Sequence, residues 1–246
     1  PQFHLRNLEG HTHGRLNHLW SWIAGPDREE LQNAALLANS AWTADSVETI
    51  YEVRPDVLHP PVGPVDEGLS WEQRENGILI VGRLAPDKRV LEGIFIVDQL
   101  RDRGHPVHLH IVGSAPRQYR PYSSRIASVA DQRAYVTLER DVSRERLEAL
   151  LGTHRYGLNL KWDEHFGMSV AEYVKAGMIA FAPDGGGQRE ILDGRSDRLF
   201  ESIPAAVDRI EASLERDDRP SLPRDRFDRD RFKSSIRAHA NRLLDR

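Results

Sequence analysis

The sequence contains no cysteine, so it can hold no disulfide, no thiolate metal site and no thiol nucleophile, which fits a reducing, cytoplasmic setting. It has no apolar run near the roughly 20 residues that cross a bilayer as a helix. Its first residues, PQFHLRNLEG, lack the basic start and apolar stretch of a signal peptide. Only 7% of residues are aromatic, and the formal charge is −4 although thirty of the 34 basic side chains are arginine. That charge gives no electrostatic footprint for nucleic acid, so no nucleic-acid partner is expected. There is no internal repeat or low-complexity tract. Neither the G-x-G-x-x-G of a dinucleotide site nor the G-K-[ST] of a P-loop occurs at a strand end, which argues against a Rossmann oxidoreductase.

What is present suits an ordinary globular protein. The 246 residues are 39% hydrophobic and 29% charged, enough for one large α/β domain, or for one domain with pieces of a second. Residues 1–25 show little periodicity, whereas 26–50 read as two helices broken at Asn39-Ser40. The stretch RPDVLHPPVGPVDEG, with four prolines, reads as a linker, and a domain boundary is placed near Pro60. From there to about 200, β-rich runs alternate with helical ones. Strands are expected at 77–82, 107–113, 134–139, 156–160 and 178–183. Helices fit between them at Arg89–Arg103, Arg120–Asp131, Ser143–Gly152, Gly167–Ala176 and Gly187–Leu192, with Ser143 as an N-cap. After Ile203 a helix (Ala205–Arg216) precedes a final amphipathic stretch that sets Phe227, Phe232, Ile236, Leu243 and Leu244 near one stripe. The expected fold is therefore α/β, a Rossmann-like parallel sheet with flanking helices. Its parts are 1–60, 61–203 and 204–246.

Three segments carry chemistry. Gly82-Arg83-Leu84-Ala85-Pro86-Asp87-Lys88 lies where a strand ends, the edge at which open parallel sheets bind ligands. There an arginine fork and a lysine point charge can share one diphosphate; a surface turn with solvated charges is the alternative. The second, Lys161 to Glu172, follows a strand and enters a helix. The amides of Phe166, Gly167 and Met168 would face a hydroxyl or phosphate at the positive end of that helix. Glu164 and Glu172 can accept hydrogen bonds from sugar and ribose hydroxyls, or serve as solvated surface acids. The third, Asp184-Gly185-Gly186-Gly187, is a glycine turn that a ligand could approach closely, or a flexible loop.

Taken together, G-R-L-x-P-x-K, then E-x-F-G with a second glutamate eight positions on, then D-x-G-G-x-x-E-I, resemble the group-one family of retaining GT-B glycosyltransferases over roughly residues 36–200. The segments Asn39-Ser40-Ala41-Trp42-Thr43 and Val57-Leu58-His59-Pro60-Pro61-Val62 are similar to that family's approach to its interdomain linker. His165 in E-H-F-G, with N-S-x-W-T and P-P-V, is similar to mannosyltransferases that extend lipid-linked oligosaccharides from GDP-mannose. The resemblance implies the C-terminal, donor-binding half of a GT-B fold with a helical remnant of the N-terminal domain, the chain reading as N-terminally truncated.

It further implies that Arg83 and Lys88 bind the donor diphosphate and stabilise the leaving charge, with no metal required. Glu164 and the amides of Phe166, Gly167 and Met168 hold the sugar, Glu172 binds the ribose, and Gly186 lines the pocket. The loop Glu139-Arg140-Asp141 faces the base. The implied partners are GDP-mannose and a glycan or lipid-linked acceptor, with peripheral membrane association through the N-terminal domain at the inner membrane face. A stand-alone nucleotide-sugar-binding module without transfer activity is the alternative. His11 and His13 read as surface histidines, for want of a third ligand placed by spacing. His108 and His110 share one strand face as edge or satisfied polar groups, and Trp20, Trp22 and Trp42 read as packing residues.

Overall fold

The structure is a computed structural model, described for residues 28–65 and 68–244. His11, His13, Trp20 and Trp22 lie outside the described residues. The chain divides into two compact units, Pro61–Arg229 and Pro1–Pro60 with Asp230–Arg246.

The described part of the smaller unit begins with α1 (Arg28–Asn33), β1 (Leu37–Ala38), α2 (Ala41–Tyr51) and β2 (Asp56–Val57). Ser40 starts α2 as its N-cap: its Oγ accepts from the Thr43 amide at 3.0 Å, satisfying a donor that the helix cannot pair internally. The expectation of two helices meeting at Asn39-Ser40 needs correcting. α1 stops at Asn33, and Leu37–Ala38 forms a short strand parallel to β2. The Leu36 and Ala38 carbonyls accept from the Asp56 and Leu58 amides, a long-range pairing that overrides local helix periodicity and also puts a strand inside the proline-rich linker.

The larger unit holds six parallel strands in the order β5-β4-β3-β6-β7-β8. They are β3 (Glu75–Val81), β4 (His108–Gly113), β5 (Val136–Arg140), β6 (His154–Leu158), β7 (Ile179–Pro183) and β8 (Leu199–Phe200). Between them run α3 (Val90–Asp102), α4 (Arg120–Ala130), α5 (Arg144–Thr153), α6 (Met168–Lys175) and α7 (Gln188–Ile191), and α8 (Ile203–Glu215) follows β8. Both faces of the sheet are covered, because side chains alternate along each strand. Ile78 and Ile80 join the buried cluster that holds Ile94, Val97 and Leu100 of α3. Leu79, between them, joins the cluster with Leu150, Tyr173 and Val174. The expected N-cap of α5 is present, with the Arg146 amide donating to Ser143 Oγ at 3.2 Å.

This strand order has one reversal. The chain winds outward from β3 through β4 to β5, then returns to lay β6 on the other side of β3. Ligands of open α/β sheets bind at the carboxyl ends of the strands on either side of such a switch point. Here those are the ends of β3 and β6, which carry the first two motif segments.

Four other details differ from the sequence-based expectation. β8 was not anticipated, because two residues are too short for a periodic pattern. β6 begins at His154, since Glu75 pairs with His154 in register. β4 is flanked by β5 and β3, so of the two readings of His108 and His110 the edge position fails and that of satisfied polar groups holds: they face Glu75 at 3.1 Å and Glu139 at 2.8 Å. Phe227 precedes the last helix, α9 (Arg229–Leu244), and is buried edge-on against Phe166, ring centroids 5.2 Å apart. It therefore does not belong to that helix's apolar stripe.

Candidate functional site

The turn after β3 is anchored at both ends before it presents any charge. The Gly82 amide donates to the Val112 carbonyl at 3.0 Å and the Leu84 amide to that of Ser114 at 2.8 Å, while Leu84 and Ala85 are fully buried. A short 3-10 turn, Pro86–Lys88, then leads to Arg89 in the left-handed region (φ 51°), which starts α3. With its neighbours held inward, Arg83 is left half exposed. Lys88 turns back toward the sheet, where only 19% of its side chain is exposed.

The turn after β6 is held by a buried amide network that sequence reading missed. Asn159 Nδ2 donates to Gln188 Oε1 at 2.7 Å, and Gln188 Nε2 donates to the Lys161 and Pro183 carbonyls at 3.1 and 3.0 Å. The glycine triplet locks the same turn from the other side. Gly186 has φ 68°, and a Cβ there would stand 2.3 Å from the Glu164 carbonyl oxygen. The Gly187 amide donates to that oxygen at 2.8 Å. The close approach that glycine permits here is thus made by the backbone carrying Glu164.

These two turns bring five charges together. Lys88 Nζ donates to Glu164 Oε2 at 2.5 Å. Lys161 Nζ lies 3.7 Å from Glu164 Oε1 and 3.9 Å from Asp87, and Arg83 is 3.5 Å from Asp87. Three cations therefore face two carboxylates, which leaves this five-group cluster in positive surplus. Burial of Glu164 favours its protonated form, but the charge and hydrogen bond of Lys88, with Lys161 behind, outweigh it and hold the carboxyl below its ordinary range. Glu164 is an anion at neutral pH.

Helix α6 points its N-terminus at the same edge. Gly167, its N-cap at φ 108°, packs against Gln188 and Ile191, and Phe166 is buried, whereas Met168 is 43% exposed. The first-turn amides of any helix lack intrahelical acceptors, and with the helix dipole they favour an anion or a hydroxyl oxygen there. Tyr173 fixes the helix to β3: its buried hydroxyl accepts from the Val81 amide at 2.7 Å. Glu172, one residue earlier, is paired with Arg144 Nη1 at 2.5 Å, and Arg144 Nη2 reaches the Pro64 carbonyl at 3.2 Å. Glu139 is held by His110 and by Arg146, the latter at 2.6 Å.

The family model described as "Glycosyl transferases group 1" matches residues 66–224, most of the chain and both charged turns. The chain belongs to the group 1 glycosyltransferase family. Among curated relatives of this family member, the protein named GDP-Man:Man(3)GlcNAc(2)-PP-Dol alpha-1,2-mannosyltransferase from Candida glabrata is 26% identical over 160 residues, 58% of this chain and 32% of its own length. The protein of the same name from Debaryomyces hansenii is 30% identical over 166 residues, 58% of this chain and 27% of its own. The chain spans about a third of the length of the curated relatives it matches.

Solved glycosyltransferase structures share the fold. The pneumococcal O-GlcNAc transferase GtfA, in complex with UDP and GlcNAc, gives a TM-score of 0.68 at 18% identity over 88% of this chain and 47% of that one. HepE from Anabaena, in complex with UDP and glucose, gives 0.69 at 17% identity over 88% of this chain and 67% of that one. The Rossmann-like half of a GT-B fold is thereby established for the described sheet.

Within this group 1 domain, the structure brings Arg83, Lys88, Glu164 and the start of α6 to one edge. Gly186 sits behind the Glu164 turn. Glu172 stands one helical turn and more along α6, engaged by Arg144. Lys161 joins Lys88 and Glu164 beyond the expected set; its position directly after a strand end, three residues before Glu164, is the sequence signal for it. Trp162, stacked under Arg89 at 5.4 Å and edge-on to Phe200, likewise fixes the turn.

Proposed function

We propose that this chain forms the donor-binding half of a retaining glycosyltransferase that moves mannose from GDP-mannose to a glycan or lipid-linked acceptor. The observation that carries the reading is the cation cluster at the sheet's switch point: Lys88 and Lys161 on an ionised, mostly buried Glu164, with Arg83 joined to them through Asp87. A diphosphate leaving group gains negative charge as its glycosidic bond breaks, and prearranged cations at a partly dry edge stabilise that charge more than they stabilise the bound donor. Arg83 offers a planar fork and Lys88 a compact charge. Lys88 has three N–H donors, so one can stay on Glu164 while others turn to phosphate.

Glu164 then faces the sugar. As an anion it accepts hydrogen bonds from sugar hydroxyls and helps to orient the ring, with the α6 amides on the other side. Glu172 retains acceptor capacity beside Arg144 for the ribose hydroxyls. Attack from the face that the leaving group departs, with the phosphate taking the acceptor's proton, needs neither a protein nucleophile nor a metal. A double displacement would instead want two carboxyls about 5–5.5 Å apart across the sugar. The acceptor would be met at the cytoplasmic face of a membrane; the PP-Dol-linked glycan in the relatives' names supports a lipid-linked acceptor. Among the described residues no helix is long and apolar enough to cross a membrane.

A second reading is a nucleotide-sugar-binding module that transfers nothing by itself. Calorimetry with GDP-mannose, GDP, UDP and UDP-glucose, followed by a transfer assay, separates the two. Saturable binding with guanine preference and transfer of mannose supports the first. Binding without transfer selects the module, and no binding to any of the four overturns both.

A further inference from the structure

The opposite, amino edge of the same sheet carries a second cluster that the donor reading leaves unused. Glu75 opens β3, His108 opens β4 and His154 opens β6, and one ligand atom from each lies within 4.8 Å of the other two. Glu75 pairs in register with His154, and Gly77, two residues on, pairs with His108. Three strands thus set their first polar side chains side by side. Along β3, seven residues at a rise of about 3.3 Å each separate this edge from Gly82.

The space for the cluster is built into the backbone. A Cβ on Gly77 would stand 2.3 Å from His108 Nε2 and 2.7 Å from His154 Cδ2, so only glycine leaves room for the two imidazoles. Their rings meet edge to face at 5.3 Å. His108 Nε2 already lies 3.1 Å from a Glu75 oxygen, close to the roughly 3.3 Å between ligand atoms around a tetrahedral ion with bonds near 2.0–2.1 Å.

His154 decides the chemistry. It is 1% exposed, and its Nδ1 lies 2.9 Å from the Leu150 carbonyl oxygen. A carbonyl can only accept, so the Leu150 contact puts the proton on Nδ1 and the lone pair on Nε2; the Thr153 hydroxyl, 3.1 Å from Nδ1, fits that tautomer by donating to the Leu150 carbonyl at 3.2 Å. That Nε2 is buried and has no hydrogen-bond partner. A buried acceptor with no donor is costly, and an ion pair between Glu75 and His108 alone would leave it so. An imidazole whose second nitrogen donates to a backbone carbonyl is also the usual arrangement for a histidine bound to a metal.

We propose that Glu75, His108 and His154 form a binding site for a divalent transition-metal ion of the zinc type. Two imidazole nitrogens and one carboxylate oxygen are the donor set that such ions favour over magnesium or calcium. Glu75 and His108 are partly exposed, with side chains 56% and 35% accessible, so an ion can enter and water can complete the coordination. Bound there, the ion would tie the first residues of β3, β4 and β6 together and stabilise the folded larger unit by linkage. His110 stays with Glu139 and lines the site from behind, its ring 5.3 Å from that of His154.

The full chain, stripped of metal, is titrated with Zn2+ by calorimetry and with Co2+ by visible absorption, and melted with and without Zn2+. One equivalent should bind at micromolar concentration or tighter, Co2+ should show intense tetrahedral bands, and Zn2+ should raise Tm. Glu75→Gln and His108→Asn, which change partly exposed side chains, should each weaken binding at least about tenfold and abolish the Tm rise. A chain with both His11→Asn and His13→Asn, and one with His105→Asn, should bind as wild type. Absence of saturable binding overturns the proposal. So does retention of full affinity in Glu75→Gln and His108→Asn, or loss of it in the His11/His13 or His105 variants. None of these results bears on donor binding at the other edge.

Discussion

The two edges of one parallel sheet solve opposite electrostatic problems with the same strands. At the carboxyl edge, β3 and β6 run into turns that precede helices, so half-exposed cations, an ionised glutamate and helix N-termini collect there. At the amino edge, helix C-termini deliver the chain into strands, and the polar residues met are imidazoles packed against one another. The five-group cluster at the first edge is in positive surplus and open to a ligand. At the second, His154 is buried while Glu75 and His108 stay partly exposed. The difference follows from chain direction, since helix dipoles place positive ends at one edge and negative ends at the other, and it is why the proposed donor site lies at the carboxyl edge.

Glycines test that contrast most severely. Gly186→Val at the carboxyl edge combines a left-handed backbone with a Cβ 2.3 Å from the Glu164 carbonyl. It should cost about 3–5 kcal/mol in urea unfolding and abolish nucleotide binding. Gly104, which leads from α3 toward the start of β4, also has positive φ (93°) but nothing within 4 Å of a Cβ. Gly104→Ala should cost only about 1–2 kcal/mol of backbone strain and leave nucleotide affinity unchanged. If both variants lost nucleotide binding equally, the Glu164 turn would not be the sensitive element.

Arg83→Ala should weaken GDP by about 1.5–3 kcal/mol, the worth of a charged hydrogen bond, and leave guanosine unaffected. Calorimetry with both ligands reads this directly, and equal loss for the two would remove the diphosphate role. Tyr173→Phe should destabilise the fold by about 1–3 kcal/mol, because the Val81 amide loses its acceptor. As the tie between α6 and the end of β3 loosens, donor affinity should fall with it. A Tyr173→Phe chain of wild-type stability would show that the hydroxyl contributes nothing there.

The smallest expected effect lies at neither turn. Arg146 holds the Glu139 carboxyl down, against a smaller opposing effect of burial, with His110 assisting, to about 2. A carboxyl with a depressed folded-state pKa binds fewer protons folded than unfolded. Its contribution is therefore complete above the unfolded value near 4.5 and disappears as pH falls through about 2. Because a quarter of the side chain is exposed, solvent screening keeps the contribution modest. Acid titration of Tm should show a shallower limb in that window for Glu139→Gln; an unchanged limb would count against the pairing.

Local signals were legible where local chemistry decides. Ser143 caps its helix with its own hydroxyl as expected, and the turn at Gly82 sits at a strand end as its sequence suggests. Arg83, Lys88 and Glu164 converge because two strand-end motifs flank the switch point. What the sequence did not reveal depends on partners far along the chain. The Asn159–Gln188 bond spans 29 positions, Tyr173 reaches Val81 across 92, and the register of Glu75 with His154 extends β6 backwards. Phe227 read as part of an amphipathic stripe because the pattern spans the residues before α9. The structure instead spends that ring on Phe166.

The central claim, that the carboxyl edge at β3 and β6 receives a nucleotide sugar's diphosphate, is tested most directly by a crystal structure of this chain with GDP-mannose. The account predicts diphosphate oxygens within hydrogen-bond distance of Arg83 and Lys88 and sugar hydroxyls on Glu164. A donor bound elsewhere, or with its diphosphate clear of both cations, would contradict it.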